Sequence, residues 1–115
     1  MPSLRIAVFA SGRGSNFRSI VKSINRGDLD AEIAFVLSNN PDPGAFEFAR
    51  EENIKTIHLT SRSFSSQDEF DDKLLGVLKE HDVNLIVLAG YMKKLSPRIV
   101  KAYRNRIVNI HPALL

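Results

Sequence analysis

Cysteine is absent from this chain, which rules out disulfides, thiolate metal sites and cysteine nucleophiles. Long apolar runs are absent too. No stretch approaches the ~20 residues a membrane span needs, and the short apolar N-terminal run leads straight into a glycine-rich turn rather than a signal-peptide cleavage region. The Gly-x4-Gly-Lys-Ser/Thr string of a Walker loop and the Gly-x-Ser-x-Gly elbow of a serine nucleophile do not occur. The dinucleotide fingerprint Gly-x-Gly-x-x-Gly is incomplete: Phe17 stands in place of its third glycine, and the second expected strand ends in Ser38, Asn39 and Asn40 instead of an acid. A nicotinamide cofactor is therefore not expected. At 115 residues, the chain is expected to form one small cytoplasmic domain with a real core but little to spare.

Charge is present but modest. The net value is +3, and the basic residues gather late, at Lys93, Lys94, Arg98, Lys101, Arg104 and Arg106. A nucleic-acid surface would interleave such a cluster with exposed aromatics or a recognisable module, and neither is there. Most of the cluster reads as a solvated helix face, with attraction of a small polyanionic substrate as the second reading.

The stretch around which the chain is organised is Ser11-Gly12-Arg13-Gly14-Ser15-Asn16. An apolar run, Leu4 to Ala10, precedes it, and Phe17, Ile20, Val21 and Ile24 follow at helical spacing. Strand, glycine-rich turn and helix in that order place backbone N–H groups and a helix N-terminus where an anion is favoured. The glycines allow close backbone approach. Ser15 and Asn16 add donors and could instead cap the helix, so a tight turn without a ligand is the plain alternative.

Further along, 32–38 reads as a strand buried on both faces, and Pro41 and Pro43 break the chain before a helix carrying Ala45, Phe48 and Ala49. A short strand, 55–59, includes His58, read as a strand residue rather than a ligand. Ser66-Gln67-Asp68-Glu69 forms a capping box that opens a helix burying Phe70, Leu74, Val77 and Leu78 and ending near His81, a surface cap. The fourth strand, 84–89, precedes the loop Gly90 to Leu95. Ser96-Pro97 then starts a helix carrying Ile99, Val100 and Tyr103, and 106–110 is the last strand. No internal repeat, linker or low-complexity segment interrupts the series. Strands alternating with helices imply an α/β fold, a Rossmann-like open parallel sheet of about five strands in the order 3-2-1-4-5 with flanking helices. Connections reverse beside the first strand of such a sheet, the place where open α/β sheets bind ligands. The loop after strand one, the loop after strand four and the end of strand five would converge there.

Asn109 and His111 lie two apart, so an unbroken strand would give them one face. An amide donor beside an imidazole suits a carbonyl that becomes tetrahedral: the amide stabilises the oxyanion, and the imidazole donates to it or moves protons. The alternative is an ordinary turn before Pro112. One histidine without a nearby carboxylate makes a poor metal site, and none is expected.

Together these motifs resemble the phosphoribosylglycinamide formyltransferase family, folate-dependent enzymes of purine synthesis. Ser11 to Asn16, Val36-Leu37-Ser38-Asn39, Leu88 to Pro97 and Val108 to Leu115 follow in that family's order, over essentially the whole chain. The resemblance implies that glycinamide ribonucleotide lays its phosphate on Gly14, Ser15 and Asn16. It implies that 10-formyltetrahydrofolate docks along Met92, Lys93, Lys94 and Leu95, with Asn109 and Gln67 adding contacts. The substrate amine would attack the formyl carbon while Asn109 and His111 hold the oxyanion and His111 shuttles the proton. No metal, membrane or nucleic acid is required.

Some features depart from that family. Gln67 and Lys93 stand where relatives carry arginines that meet the folate, and lysine does not replace the bidentate arginine. The family's third catalytic group, an aspartate in a later Asp-x-Gly loop, has no counterpart here. The domain, 1–115, is therefore expected to be truncated after the Asn-x-His strand, with weak catalysis alone and possible self-association of its exposed edge. Alternatives are formyltetrahydrofolate hydrolysis, in which the phosphate loop would be idle, and a non-catalytic phosphoribosyl-binding module. Formylation of initiator methionyl-tRNA would need a tRNA-binding region.

Overall fold

The computed structural model describes residues 4–110. Its elements run β1 (Leu4–Phe9), α1 (Ser15–Asn25), β2 (Ala31–Ser38), α2 (Gly44–Glu51), β3 (Thr56–His58), a 3-10 turn at Ser61–Ser63, α3 (Gln67–Glu80), β4 (Leu85–Ala89), α4 (Pro97–Ala102) and β5 (Ile107–Ile110). The five strands form one sheet in the order β3-β2-β1-β4-β5, with every pair parallel. The expected architecture and strand order are therefore observed.

The central strands read as continuous apolar runs because both faces of the sheet are covered. Ala7, Phe9, Phe35, Leu37 and Ile86 point to one face, where Phe70, Leu74 and Leu78 of α3 and Ile99 of α4 cover them. Ile6, Val8, Val36 and Val87 point to the other, beneath Phe17 and Val21 of α1 and Ala45, Phe46 and Ala49 of α2. Each fully buried side chain of this size contributes about 1.5–3 kcal/mol relative to exposure. In α2 Phe46 is buried along with Ala45 and Ala49. Phe48 is half-buried, edge-on to Phe17 and beneath the Arg18 guanidinium.

The helix signals hold with local changes. The Ser66 hydroxyl accepts from the Glu69 N–H at 3.1 Å, while the Glu69 carboxylate takes the Ser65 N–H, one residue before the usual reciprocal partner. Ser96 caps α4, with Pro97 as the first helical residue. Val100 points outward and is 46% exposed, so Ile99 and Tyr103 supply the buried side of that short segment. His81 is half-buried rather than a free surface cap: its ring packs edge-on against Phe35, and its Nδ1 donates to the Val77 carbonyl at 2.8 Å. Its Nε2 then accepts from the Lys55 ammonium. His58 is a strand residue, as expected, and is exposed, with Nε2 3.3 Å from the Asn39 carbonyl. A register shift between Ile6 and Ala7 inserts one extra residue of β2, Ala34. No helix among the described residues is long and apolar enough to cross a membrane.

Candidate active site

The loop Ser11–Asn16 leaves the end of β1 at the switch point, between β2 and β4. Gly14 sits at the N-cap of α1 with φ +77°, and a Cβ there would lie 2.7 Å from the Ala45 Cβ. Only glycine meets both demands. That choice has a consequence at the helix end. Ser15 and Asn16 are already the first two helical residues, so neither occupies the capping position, and no side chain caps α1. The first turn holds no acidic residue. Its free amides and the positive end of the helix dipole face a cleft of about 170 Å³ lined by Gly12 to Asn16 with Ala89 and Gly90. This is the geometry of an anion site.

Ser11 is buried and joins three strand ends. Its hydroxyl donates to the Asn39 side-chain oxygen at 2.6 Å and accepts the Met92 N–H at 2.8 Å. Its carbonyl accepts from the Asn40 amide, and its N–H donates to the Gly90 carbonyl. The loop after β4 is thus tied to the loop after β1.

Beyond Gly90, the chain passes along the α3–α4 face. Tyr91 is half-buried, edge-on to Phe9 with ring centroids 5.4 Å apart, and burial pushes its phenol up to about 12. The Met92 side chain is 81% exposed. Gln67, Phe70, Tyr91, Lys93, Leu95 and Ser96 surround a cavity of about 80 Å³. Beside it, a wider cleft of about 330 Å³ is lined by Asn39, His58, Thr60, Arg62 and Lys93. Among the described residues Arg62, Lys93 and Lys94 make no ion pair, whereas Arg98 is bound to Asp72, which holds its guanidinium pKa up. Of the late basic cluster only Arg98 is thus ion-paired among the described residues, while Lys93 stands uncompensated at the cleft, where it attracts anions.

Gln67 is exposed at the rim, and its amide donates to Asp71 at 2.9 Å. Asp71 was not singled out by sequence. It is 2% exposed, and its second oxygen accepts from the Ser96 hydroxyl at 2.8 Å. Its acidic neighbours Asp68, Glu69 and Asp72 mask it in the sequence, where only its helical spacing to Leu74 and Leu78 marks an inward position.

Asn109 stands in register with Leu88 on β5 and is exposed. Ile107 and Leu88 both pack on the α3–α4 side, and strand alternation puts Asn109 on that face. The loops after β1 and β4 are in direct contact, and Asn109 lies at the same end of the sheet. His111 lies outside the described residues. No group of three or more His, Asp or Glu side chains among the described residues is placed to hold a metal ion.

This arrangement has known counterparts. A family described as Formyl transferase matches residues 4–115. A phosphoribosylglycinamide formyltransferase of Haemophilus influenzae is 40% identical over 96% of this chain and 52% of its own length. A second from Bacillus subtilis is 36% identical over 96% and 57%. The crystal structure of glycinamide ribonucleotide transformylase 1 from Geobacillus kaustophilus superposes with a TM-score of 0.88 at 40% identity, covering 97% of this chain and 60% of that one. The chain spans about half the length of the curated relatives it matches. With the sheet order, the switch-point loop and the family match in agreement, this chain belongs to the formyl transferase family.

Proposed function

We propose that the intact protein transfers a formyl group from 10-formyltetrahydrofolate to the amine of glycinamide ribonucleotide. The observation that carries this reading is the uncapped N-terminus of α1, opening at the switch point directly beside the loop after β4. A donor of formyl groups to water would have no use for an anion site there, whereas a phosphoribosyl amine would. Relatives named for this reaction, at 36–40% identity, support the assignment.

In this reading the phosphate rests on the amides of Gly14, Ser15 and Asn16. The folate lies against Met92, Lys93, Lys94 and Leu95, with Gln67 at the rim. The amine nitrogen forms a bond to the formyl carbon, and the carbonyl oxygen becomes an oxyanion in the tetrahedral intermediate. Asn109 donates to that oxyanion, and His111 stabilises it and carries the proton from the attacking amine to the departing folate nitrogen. The C–N bond to the folate breaks as the proton arrives. The uncompensated Lys93 and Arg62 suit the carboxylates of a folate.

The test is formyl release from 10-formyltetrahydrofolate by the intact protein, with and without glycinamide ribonucleotide. Release that depends on the amine supports the transferase. Release to water without the amine assigns a hydrolase instead. Binding of the ribonucleotide with no release in either case assigns a phosphoribosyl-binding module.

A further inference from the structure

The segment from Met92 to Leu95 is neither helix nor strand, so its backbone is held by what surrounds it. Two buried polar side chains grip it at its ends. At the start, the Ser11 hydroxyl accepts the Met92 N–H at 2.8 Å while donating to Asn39 at 2.6 Å. At the end, Asp71 accepts from the Ser96 hydroxyl at 2.8 Å, and that hydroxyl also caps α4. The Gln67 amide satisfies the other Asp71 oxygen. Ser11 is 7% exposed and Asp71 2%, and neither lines the cavity that Tyr91, Lys93, Leu95 and Ser96 enclose. They touch the loop, not the space a ligand would fill.

A buried carboxylate is costly to desolvate and persists only where its partners are fixed. Likewise a hydroxyl that both donates and accepts admits one geometry. Removing either leaves specific groups unpaired: the Met92 N–H and the Asn39 oxygen in one case, the Ser96 hydroxyl and the Gln67 amide in the other. The four residues between these anchors are the ones assigned to the folate.

We propose that Ser11 and Asp71 are positioning residues that set the Met92–Leu95 backbone and thereby the affinity for the folate substrate, an inference that rests on the function proposed above. Ser11 opens the phosphate loop as well, so one hydroxyl fixes the spacing between the two substrate sites.

Steady-state kinetics of the intact protein with Ser11→Ala and Asp71→Asn test this. Each variant should raise KM for 10-formyltetrahydrofolate about tenfold, the scale of one lost buried hydrogen bond, with kcat within about threefold. In Asp71→Asn the KM for glycinamide ribonucleotide should stay at the wild-type value. Ser11→Thr, which keeps the hydroxyl, should restore the folate KM. Equal rises in both KM values in Asp71→Asn, or an unchanged folate KM in either variant, overturn the proposal. Amide hydrogen exchange without ligand supplies a readout independent of activity. Faster exchange at Met92 in Ser11→Ala and, in Asp71→Asn, at Ile99, whose N–H donates to the Ser96 hydroxyl, with Val8 and Leu37 unchanged, supports the anchors; unchanged protection at Met92 and Ile99 overturns them. A wild type that transfers no formyl group defeats the function, and the exchange result still decides the anchors.

Discussion

Gly14→Ala would force a side chain into the left-handed region, at about 1–2 kcal/mol, and drive its Cβ to 2.7 Å from that of Ala45. The expected outcome is a lower urea midpoint together with weaker binding of a phosphate ligand, read by chemical denaturation and titration calorimetry. At Asn109, replacement by alanine removes the proposed oxyanion donor. It should lower kcat by about 10²–10³ with little change in either KM, which steady-state kinetics will show. Tyr91 offers a pH test. Burial raises its pKa from 10.0 to about 12, so the folded chain keeps that proton after the unfolded chain has lost it. Stability therefore falls as pH climbs from 10 through 12, and Tyr91→Phe should flatten that fall in unfolding curves taken at stepped pH. Sequence singles out residues whose type suggests chemistry: Gly14, Asn109 and, outside the described residues, His111. It hid Asp71, because an acid among Asp68, Glu69 and Asp72 reads as surface, and its partner Ser96 is 25 residues away in the chain.

Elements were legible where one force dominates. β1, β2 and β4 are apolar on both faces and announce themselves, and α3 carries both a capping signal and an apolar stripe. Ser66→Ala should cost α3 about 1 kcal/mol, measurable as a drop of a few degrees in Tm. Boundaries were less legible where tertiary contacts decide them. Ser15 and Asn16 carry capping side chains yet lie inside α1, since the approach of Ala45 demands glycine at the cap. The bulge at Ala34 leaves no mark in a continuous apolar run. Val100 fits the helical period, but α4 lasts only six residues and buries Ile99 alone.

For the whole molecule, alternation of strand and helix narrows the sheet to a few orders, because crossovers are right-handed, and the Rossmann-like one expected among them is the one observed. The order in turn predicts which loops meet, and Ser11 shows two of them hydrogen-bonded. The exposed edge expected at the fifth strand belongs to the same scale. Among the described residues β5 is the outer strand beside β4, with Val108 45% exposed. An unpaired strand edge flanked by apolar side chains is a template for association. Sedimentation of the 115-residue chain alone should show concentration-dependent dimers or larger species, and Val108→Lys should return them to monomer.

The open end of α1 has one last consequence, and it concerns the bench. Main-chain amides read an anion by charge and shape and do not ask what the phosphate is attached to. Inorganic phosphate and unrelated phosphate monoesters would then compete for the loop. Activity measured in phosphate buffer would be understated by an amount that shrinks as the true substrate is raised.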